Sequence, residues 1–549
     1  MTTQASLPLA AGGDERQSWV PMVVIAMGQA LMSFNVAAIP ISMSGMVRSF
    51  DTPPTTVGTA IVMYSLGVSG FVMLGAKLGQ RFGSKVFFQM AVGLFLAAMI
   101  LMVISPTAEV MLAAQALAGF AGASLVPSLV ALIANNYSGK QQAEAVGWLG
   151  SARAIAGVLA FIIVGWVATI NWRMAFGLLI VHSVAILLLS FKLKPSAPRP
   201  EVKIDMVGVV LSAVGVICIA FGFNNVRNWG ALLARPDAPF DVLGVSPAPL
   251  LIVIGIVIVT GFFVWSIKKA AAGGTPLLAL EVVASPREWA TIVALFIIVS
   301  MEGAINFAVP LYIQIVKGQS SIQSSIAMMP FMLTVFFTAF LIVKFYNKYT
   351  PRQIARFSFV LVAVGTAWLA FVIRNEWGTA PVIAGLITVG LGQGALVTLL
   401  FNVLVTAAPK ELAGDVGSLR GVTQNLAAAV GTAMVGAVLV GLLSSMIIRD
   451  AVSNPVITAE LRDEVNLTNL NFMSDKVVTE RLATTSATPE QLTEALRING
   501  DARIQALKIG FLLMSALSLL AIMPCSWLPD YKPGEIPGDR AKPGKLKTA

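Results

Sequence analysis

Apolar runs alternate with short polar loops along the whole chain, and about fourteen runs are long enough to cross a bilayer, which takes about 20 residues. Six fall near 19–45, 56–79, 84–105, 109–136, 142–170 and 172–191, and two near 205–225 and 247–267. Six more lie near 289–316, 321–345, 353–373, 381–408, 415–447 and 505–528. The 6+2+6 spacing predicts an all-α polytopic membrane protein: two six-helix bundles with two inserted helices, 14 transmembrane helices in all. The expected divisions are an N-terminal segment 1–18, a first bundle 19–191 and a linker 192–285 carrying the inserted pair. A second bundle 286–530, with a polar loop 449–501, and a tail 531–549 complete the chain.

Loop charges set the expected orientation. Arg81 and Lys85, the group Lys192, Lys194, Arg199 and Lys203, the pair Lys268 and Lys269, and Lys344, Lys348, Arg352 and Arg356 all fall in even-numbered loops. The tail adds Lys532, Arg540, Lys542, Lys545 and Lys547 on that side. Lys and Arg collect at the cytoplasmic face, so both termini are expected there, in a plasma (inner) membrane. The first apolar run is expected to serve as the targeting signal, with no removable signal peptide before it. In the 449–501 loop, Thr488-Pro489-Glu490-Gln491 reads as a capped helix start and predicts a short helix over Glu490–Ile498 within a loose outer cap.

Composition narrows the function classes. Of 549 residues, 57% are hydrophobic and 12% charged, about half the charged share of a soluble domain. The net charge of +10 is carried by membrane-flanking loops, without the interleaved aromatics that would point to nucleic acid. Cys218, Cys525 and the single His182 each lie in apolar runs and predict no disulfide, metal pair or ligand role. Gly390-Leu391-Gly392-Gln393-Gly394 lacks the strand and the Lys-Ser/Thr of a nucleotide loop. No catalytic triad or Walker motif occurs, so neither an enzyme nor a cofactor is expected.

One run breaks the apolar pattern. Between Trp289 and Gly318, Glu302 sits near mid-span, Asn306 follows one turn later on the same face, and Pro310 one turn after that. The proline removes a donor and frees the Asn306 carbonyl. A carboxylate at the bilayer centre costs about 2.5–3.5 kcal/mol on insertion scales, so it is expected to face protein or water. Either Glu302 locks two helices together, or it lines a transport cavity. Arg153 lies about 12 Å into its helix, at about 1.5 Å per residue. It has three readings: partner of an acid, ligand of an anionic headgroup, or a snorkelling side chain. Gln115, Gln393, Asn402, Gln424 and Asn425 are neutral hydrogen-bonding groups, and Arg420, early in its helix, is expected at the interface.

Several motifs resemble one family. Val309-Pro310-Leu311-Tyr312-Ile313-Gln314, with Gly318, Ser320 and Pro330, is similar to the P-x-Y-x-Q…G-x-S…P signature of the fourteen-helix drug:proton antiporter branch of the major facilitator superfamily. Trp172-Arg173, the set Asp205, Gly208 and Leu211, and Gly119 with Pro127 also match the branch. Ala76-Lys77-Leu78-Gly79-Gln80-Arg81-Phe82-Gly83-Ser84-Lys85 resembles the superfamily's G-x-L-A-D-R-x-G-R-K loop, which marks Gln80, Arg81, Gly83 and Lys85 as a gating loop. The chain departs from the branch at four places. Ala38-Ile39-Pro40 survives in helix one, but Leu31 stands where the branch has Asp; Gln115 replaces an Arg; Gln80 replaces an Asp; and Ala160-Phe161…Val164-Gly165 replaces a Gly-Pro element.

The resemblance implies a secondary active transporter that exports amphipathic or hydrophobic small molecules by alternating access, with protons as the coupling ion and membrane lipid as its surroundings. Glu302, Asn306, Tyr312, Gln314, Arg153, Gln115, Gln393 and Asn402 are the candidates for substrate and proton binding. The alternatives are a facilitator or lipid/glycolipid exporter without proton coupling, and a non-transporting scaffold or sensor acting through the 449–501 loop.

Overall fold

In the computed structural model the described residues are 17–530, apart from 138, 231, 236–237, 284, 343–344, 346–347, 375–378, 408–412 and 465–471; at 134, 139–140, 142–144, 146–147, 150–151, 154, 227, 405–407, 413–414 and 463 only the backbone is described. Lys344, the N-terminal segment before residue 17 and the basic tail from Lys532 to Lys547 lie outside the described residues. Among the described residues there are helices and two isolated bridges, and no strand.

The first bundle comprises α1 (Val20–Ile41), a short α2 (Met43–Phe50), α3 (Pro54–Phe82), α4 (Ser84–Ile104), α5 (Ala108–Asn136), α6 (Gly139–Ile170) and α7 (Trp172–Ser190). The inserted pair is α8 (Met206–Trp229) and α9 (Pro247–Ala271). The second bundle comprises α10 (Pro286–Pro310), α11 (Ser321–Leu341), α12 (Pro351–Val372), α13 (Ala380–Ala407), α14 (Ala413–Ser453) and α17 (Pro489–Leu520), with short α15 (Ala459–Glu464) and α16 (Asp475–Leu482) between the last two. Thirteen of these helices, all but α6 among the long ones, are long and apolar enough to cross a membrane, and the apolar stretch Ile155–Ile170 of α6 completes the fourteen.

Helix starts follow local chemistry. Ser285, Ser320, Thr350 and Thr488 each cap a helix, with the residue three positions on reaching back to close the box. Asn171 accepts from the Arg173 N–H to start α7. Asp205 starts α8 by accepting from the Gly208 N–H, and it also takes the Trp265 indole N–H and the Lys269 ammonium of α9 at 2.8 Å. One carboxylate therefore pins the inserted pair together. Burial alone raises the Asp205 carboxyl, but these bonds outweigh it and hold the group below the usual carboxylate range.

Packing uses missing side chains where helices cross closely. A Cβ at Gly119 of α5 would collide with the Tyr64 carbonyl of α3, and one at Gly431 of α14 with the Ser300 carbonyl of α10. Such crossings let backbones approach in a medium that gives no hydrophobic push between helices. α3 packs on α14 and α6 on α11, which joins the two bundles, while α8 packs on both α3 and α14.

Three expectations need correction. The segment Glu490–Ile498 is not a separate short helix: the cap at Thr488 starts a single 32-residue helix that runs through the last span, because Asn499–Leu507 keeps the helical spacing of buried positions. α14 extends to Ser453, beyond the expected end near 447. After Pro310 the chain does not simply kink. It winds on as a π-helical turn over Leu311–Val316 and stops at Gly318, whose φ of 64° suits glycine.

Candidate functional site

Contacts divide the molecule into two ends. At one, the start of α1 meets the end of α5, where Tyr137 accepts from the Met22 N–H, and the start of α12 meets the chain after α17, where Arg352 donates to the Leu528 carbonyl. This end carries Arg81, Lys85, Lys192 and Lys268. The other end carries α2, the π turn, α15 and α16.

At the basic end lies the resembling loop. Gly83 has φ 88°, and a Cβ there would press on the Ser196 carbonyl at 2.6 Å, so the turn needs glycine. Lys85 Nζ donates to the carbonyls of Phe191 and Leu193 at 2.9 and 2.7 Å, capping the end of α7. The side chains of Gln80 and Arg81 are exposed, and Gln80 engages only through its carbonyl, which accepts from the Arg199 N–H. Lys77, four residues before Arg81, makes the contact with the second bundle. Its Nζ lies 3.7 Å from Asp415 Oδ1 at the start of α14, joining the two bundles. Sequence reasoning missed this pair, although both residues were visible as charges at helix ends.

At the opposite end Gln314 makes the matching link. Held in the π turn and 3% exposed, it donates to the Pro40 carbonyl at 2.9 Å and accepts from the Ser44 N–H at 3.1 Å. The π winding turns this side chain across the bundle interface to the corner between α1 and α2. Beside it, Lys317, Asp475, Arg497, Asp501 and Arg503 line a cavity of about 340 Å³ under α16. Tyr312 is fully buried beside this group, within reach of the charges of Arg503 and Asp475, and its hydroxyl donates to the Arg374 carbonyl at 3.3 Å.

Midway, Glu302, Gly303 and Asn306 form a half-buried face on a mostly buried stretch of α10. Glu302 Oε2 accepts from Gln393 Nε2 of α13 at 3.1 Å, and the same nitrogen donates to the Ile298 carbonyl. Gln393 Oε1 is buried without a donor, and so is Asn306 Oδ1 one turn along α10. In the first bundle, Gln115 and Asn35 bond reciprocally at 2.9 and 3.3 Å, both fully buried. Asn402 sits partly buried on α13, away from these bonds.

Arg153 of α6 donates to Gln424 Oε1 of α14 at 3.2 Å, across the bundle interface. Arg420, early in α14, is turned into the protein. Its guanidinium stacks on the Phe401 ring at 3.6 Å and its Nε is buried without a partner. The signal for this was present: Arg420 and Gln424 lie one turn apart on α14. His182 is a packed residue within 2.9 Å of the Met27 carbonyl, and both cysteines are free.

Comparisons with known proteins agree with this architecture. The sequence profile of the Major Facilitator Superfamily matches residues 25–432. The chain is 25% identical over 395 residues to the probable actinorhodin transporter of Streptomyces coelicolor, covering 70% of this chain and 66% of that one. It is 24% identical to the multidrug efflux pump LfrA of Mycolicibacterium smegmatis, covering 77% and 81%. It is 22% identical to the methylenomycin A resistance protein of Bacillus subtilis, covering 76% and 87%. Among solved structures it is similar to a bacterial homolog of the human lysosomal transporter Spinster in an inward-facing, occupied conformation, with TM-score 0.60, 13% identity, and coverage of 91% and 96%. A D-xylose–proton symporter gives TM-score 0.58 at 11% identity, with coverage of 94% and 99%.

Proposed function

The chain belongs to the major facilitator superfamily, and we propose that within it the protein is a proton-coupled exporter of amphipathic or hydrophobic small molecules, working by alternating access. The two interbundle links define the cycle. Lys77–Asp415 holds the basic end shut and Gln314 holds the opposite end shut, and each must open while the other stays closed. The basic end faces the cytoplasm of a plasma (inner) membrane, because its Lys and Arg residues match the positive-inside pattern.

One observation supports the coupling: Glu302 is a half-buried, mid-span carboxylate whose partner among the described residues is the neutral Gln393 amide. Gln393 presents a donor to the carboxylate and, with Oε1 unpaired, an acceptor for the O–H of the protonated acid. Both protonation states therefore find a partner, which is what a proton-carrying site requires. The names of the relatives, which include a multidrug efflux pump and an antibiotic resistance protein, support export of small molecules.

A second reading is a facilitator without proton coupling. The neutral Asn35–Gln115 pair favours it, since the first bundle then carries no proton of its own. Reconstitution in vesicles separates the two. Uptake of ethidium and of dansyl-undecanoate into inside-out vesicles, with an acidic lumen or at matched pH, is compared for the native protein and Glu302→Gln. The coupled reading expects export to follow the gradient in the native protein and to ignore it in the variant; equal gradient dependence in both removes Glu302 from the coupling role.

A further inference from the structure

Arg153 and Arg420 are two guanidiniums from different bundles brought to one place by Gln424, which accepts from Arg153 and lies one turn from Arg420 on α14. The ion pairs of the described residues lie elsewhere, and none includes either arginine. Like charges in a medium of low dielectric repel strongly, and a cation at this depth normally has an anionic partner. Among the described residues their direct contacts are neutral: Gln424 takes one N–H of Arg153, Phe401 takes the face of Arg420, and Tyr64 of α3 lies within reach of the Arg153 charge. Two donors are left over. Arg420 Nε and Gln424 Nε2 are both buried and unpartnered, one turn apart on the same face of α14.

We propose that Arg153, Arg420 and Gln424 form a site between the bundles for the acidic group of the exported molecule, an amphipathic compound carrying a carboxylate. Its two oxygens would accept from Arg420 Nε and Gln424 Nε2, with the charge of Arg153 opposite, while Phe401 and Tyr64 offer flat apolar surfaces to the rest of the molecule. The site belongs to the interface and not to the lipid face. Gly421, next to Arg420, lies against Val72 and Val126 of the first bundle. It also lies about 7.5 Å along α14 from Asp415, five residues at about 1.5 Å each, so it sits just above the Lys77–Asp415 closure. Opening the basic end breaks the Arg153–Gln424 bond and exposes the site to the side from which the molecule enters, and closing that end completes the site around it. This rests on the transport reading above and deepens it.

Binding tests the site without transport. The protein in phosphatidylcholine nanodiscs is titrated with fluorescent dansyl-undecanoate and with its neutral methyl ester. The native protein is expected to hold the acid about tenfold or more tighter than the ester. Arg153→Gln and Arg420→Gln should each lose most of that preference while still binding the ester, which shows that they are folded, and Arg420→Lys should keep part of it. Equal affinity for acid and ester in the native protein, or preference retained in both Gln variants, overturns the assignment. Repeating the titration with phosphatidylglycerol in the nanodisc and with added inorganic phosphate separates the sources of an anion. Preference that survives both supports the substrate site. Preference abolished by the lipid assigns the site to a lipid headgroup, and displacement by phosphate assigns it to a small inorganic ion; either result overturns the proposal. No pH gradient enters this measurement, so its failure leaves proton-coupled export standing. Failure of gradient-driven export with acid binding intact sinks the transport reading alone.

Discussion

The two bundles handle a polar group at membrane depth in opposite ways. In the first, Asn35 and Gln115 each donate to the other and neither is exposed. In the second, Glu302 carries a carboxyl group, is only half-buried and accepts from Gln393, whose own amide is half satisfied. The closed neutral pair has nothing left to bind. The open acidic pair has unused hydrogen-bonding capacity on both residues. A buried polar group that is fully paired acts as a structural fastener, and one left partly paired beside water is available for chemistry.

The comparison breaks most readily at Glu302. Glu302→Gln should reduce the gradient-driven component of export by about 5- to 150-fold, the usual range of coupling between sites, with little loss of folding stability. Flux measured with and without a pH gradient checks this. The opposite pattern is expected for the first bundle. Gln115→Leu leaves Asn35 unpaired and should lower stability by about 1–3 kcal/mol in unfolding assays, while the gradient dependence of export stays as it was. The double change Asn35→Leu with Gln115→Leu should recover most of that loss; no recovery would mean the pair does more than fasten α1 to α5.

Asp205 sharpens the contrast as a carboxylate with a structural task. Asp205→Asn should lower stability at neutral pH by about 1 kcal/mol, the worth of a helix cap, and leave coupling unchanged. Because Asp205 is held below the usual carboxylate range, its contribution is complete above that range and disappears as pH falls through its folded value. Unfolding curves of the two proteins should therefore converge in acid. The smallest effect is expected from Gln393→Leu, which removes a polar contact between membrane helices worth about 0.6 kcal/mol, or about threefold in gradient-driven export.

Much of this was legible in the sequence, and the limits are physical. Helix number and bundle plan follow from apolar run length, because the bilayer fixes both. Glu302 stood out because a lone acid in an apolar run has few explanations. What one chain position cannot reveal is its partner on another helix. Gln393 and Gln115 looked alike as neutral amides, yet one meets an acid and the other an asparagine. Lys77 lies within the resembling loop, but the motif marks Gln80, Arg81, Gly83 and Lys85, whereas the salt bridge depends on where α14 begins. The π turn was hidden too: a proline announces a broken bond, not the winding the chain adopts afterwards.

The unbroken helix α17 has one more consequence. At 32 residues and about 1.5 Å each, it is a rod of roughly 48 Å with one half in the second bundle and the other half outside it. Arg503, 3% exposed, bolts α16 to that rod through the Met473 carbonyl and Asp475. The cap formed by α15 and α16 is thus an indicator needle fixed to one bundle, and a small tilt at its root becomes a larger sweep at its tip. Spin labels at exposed Glu480 on the needle and exposed Asp51 on the other bundle should report each turn of the cycle as a change in distance, readable from outside the membrane.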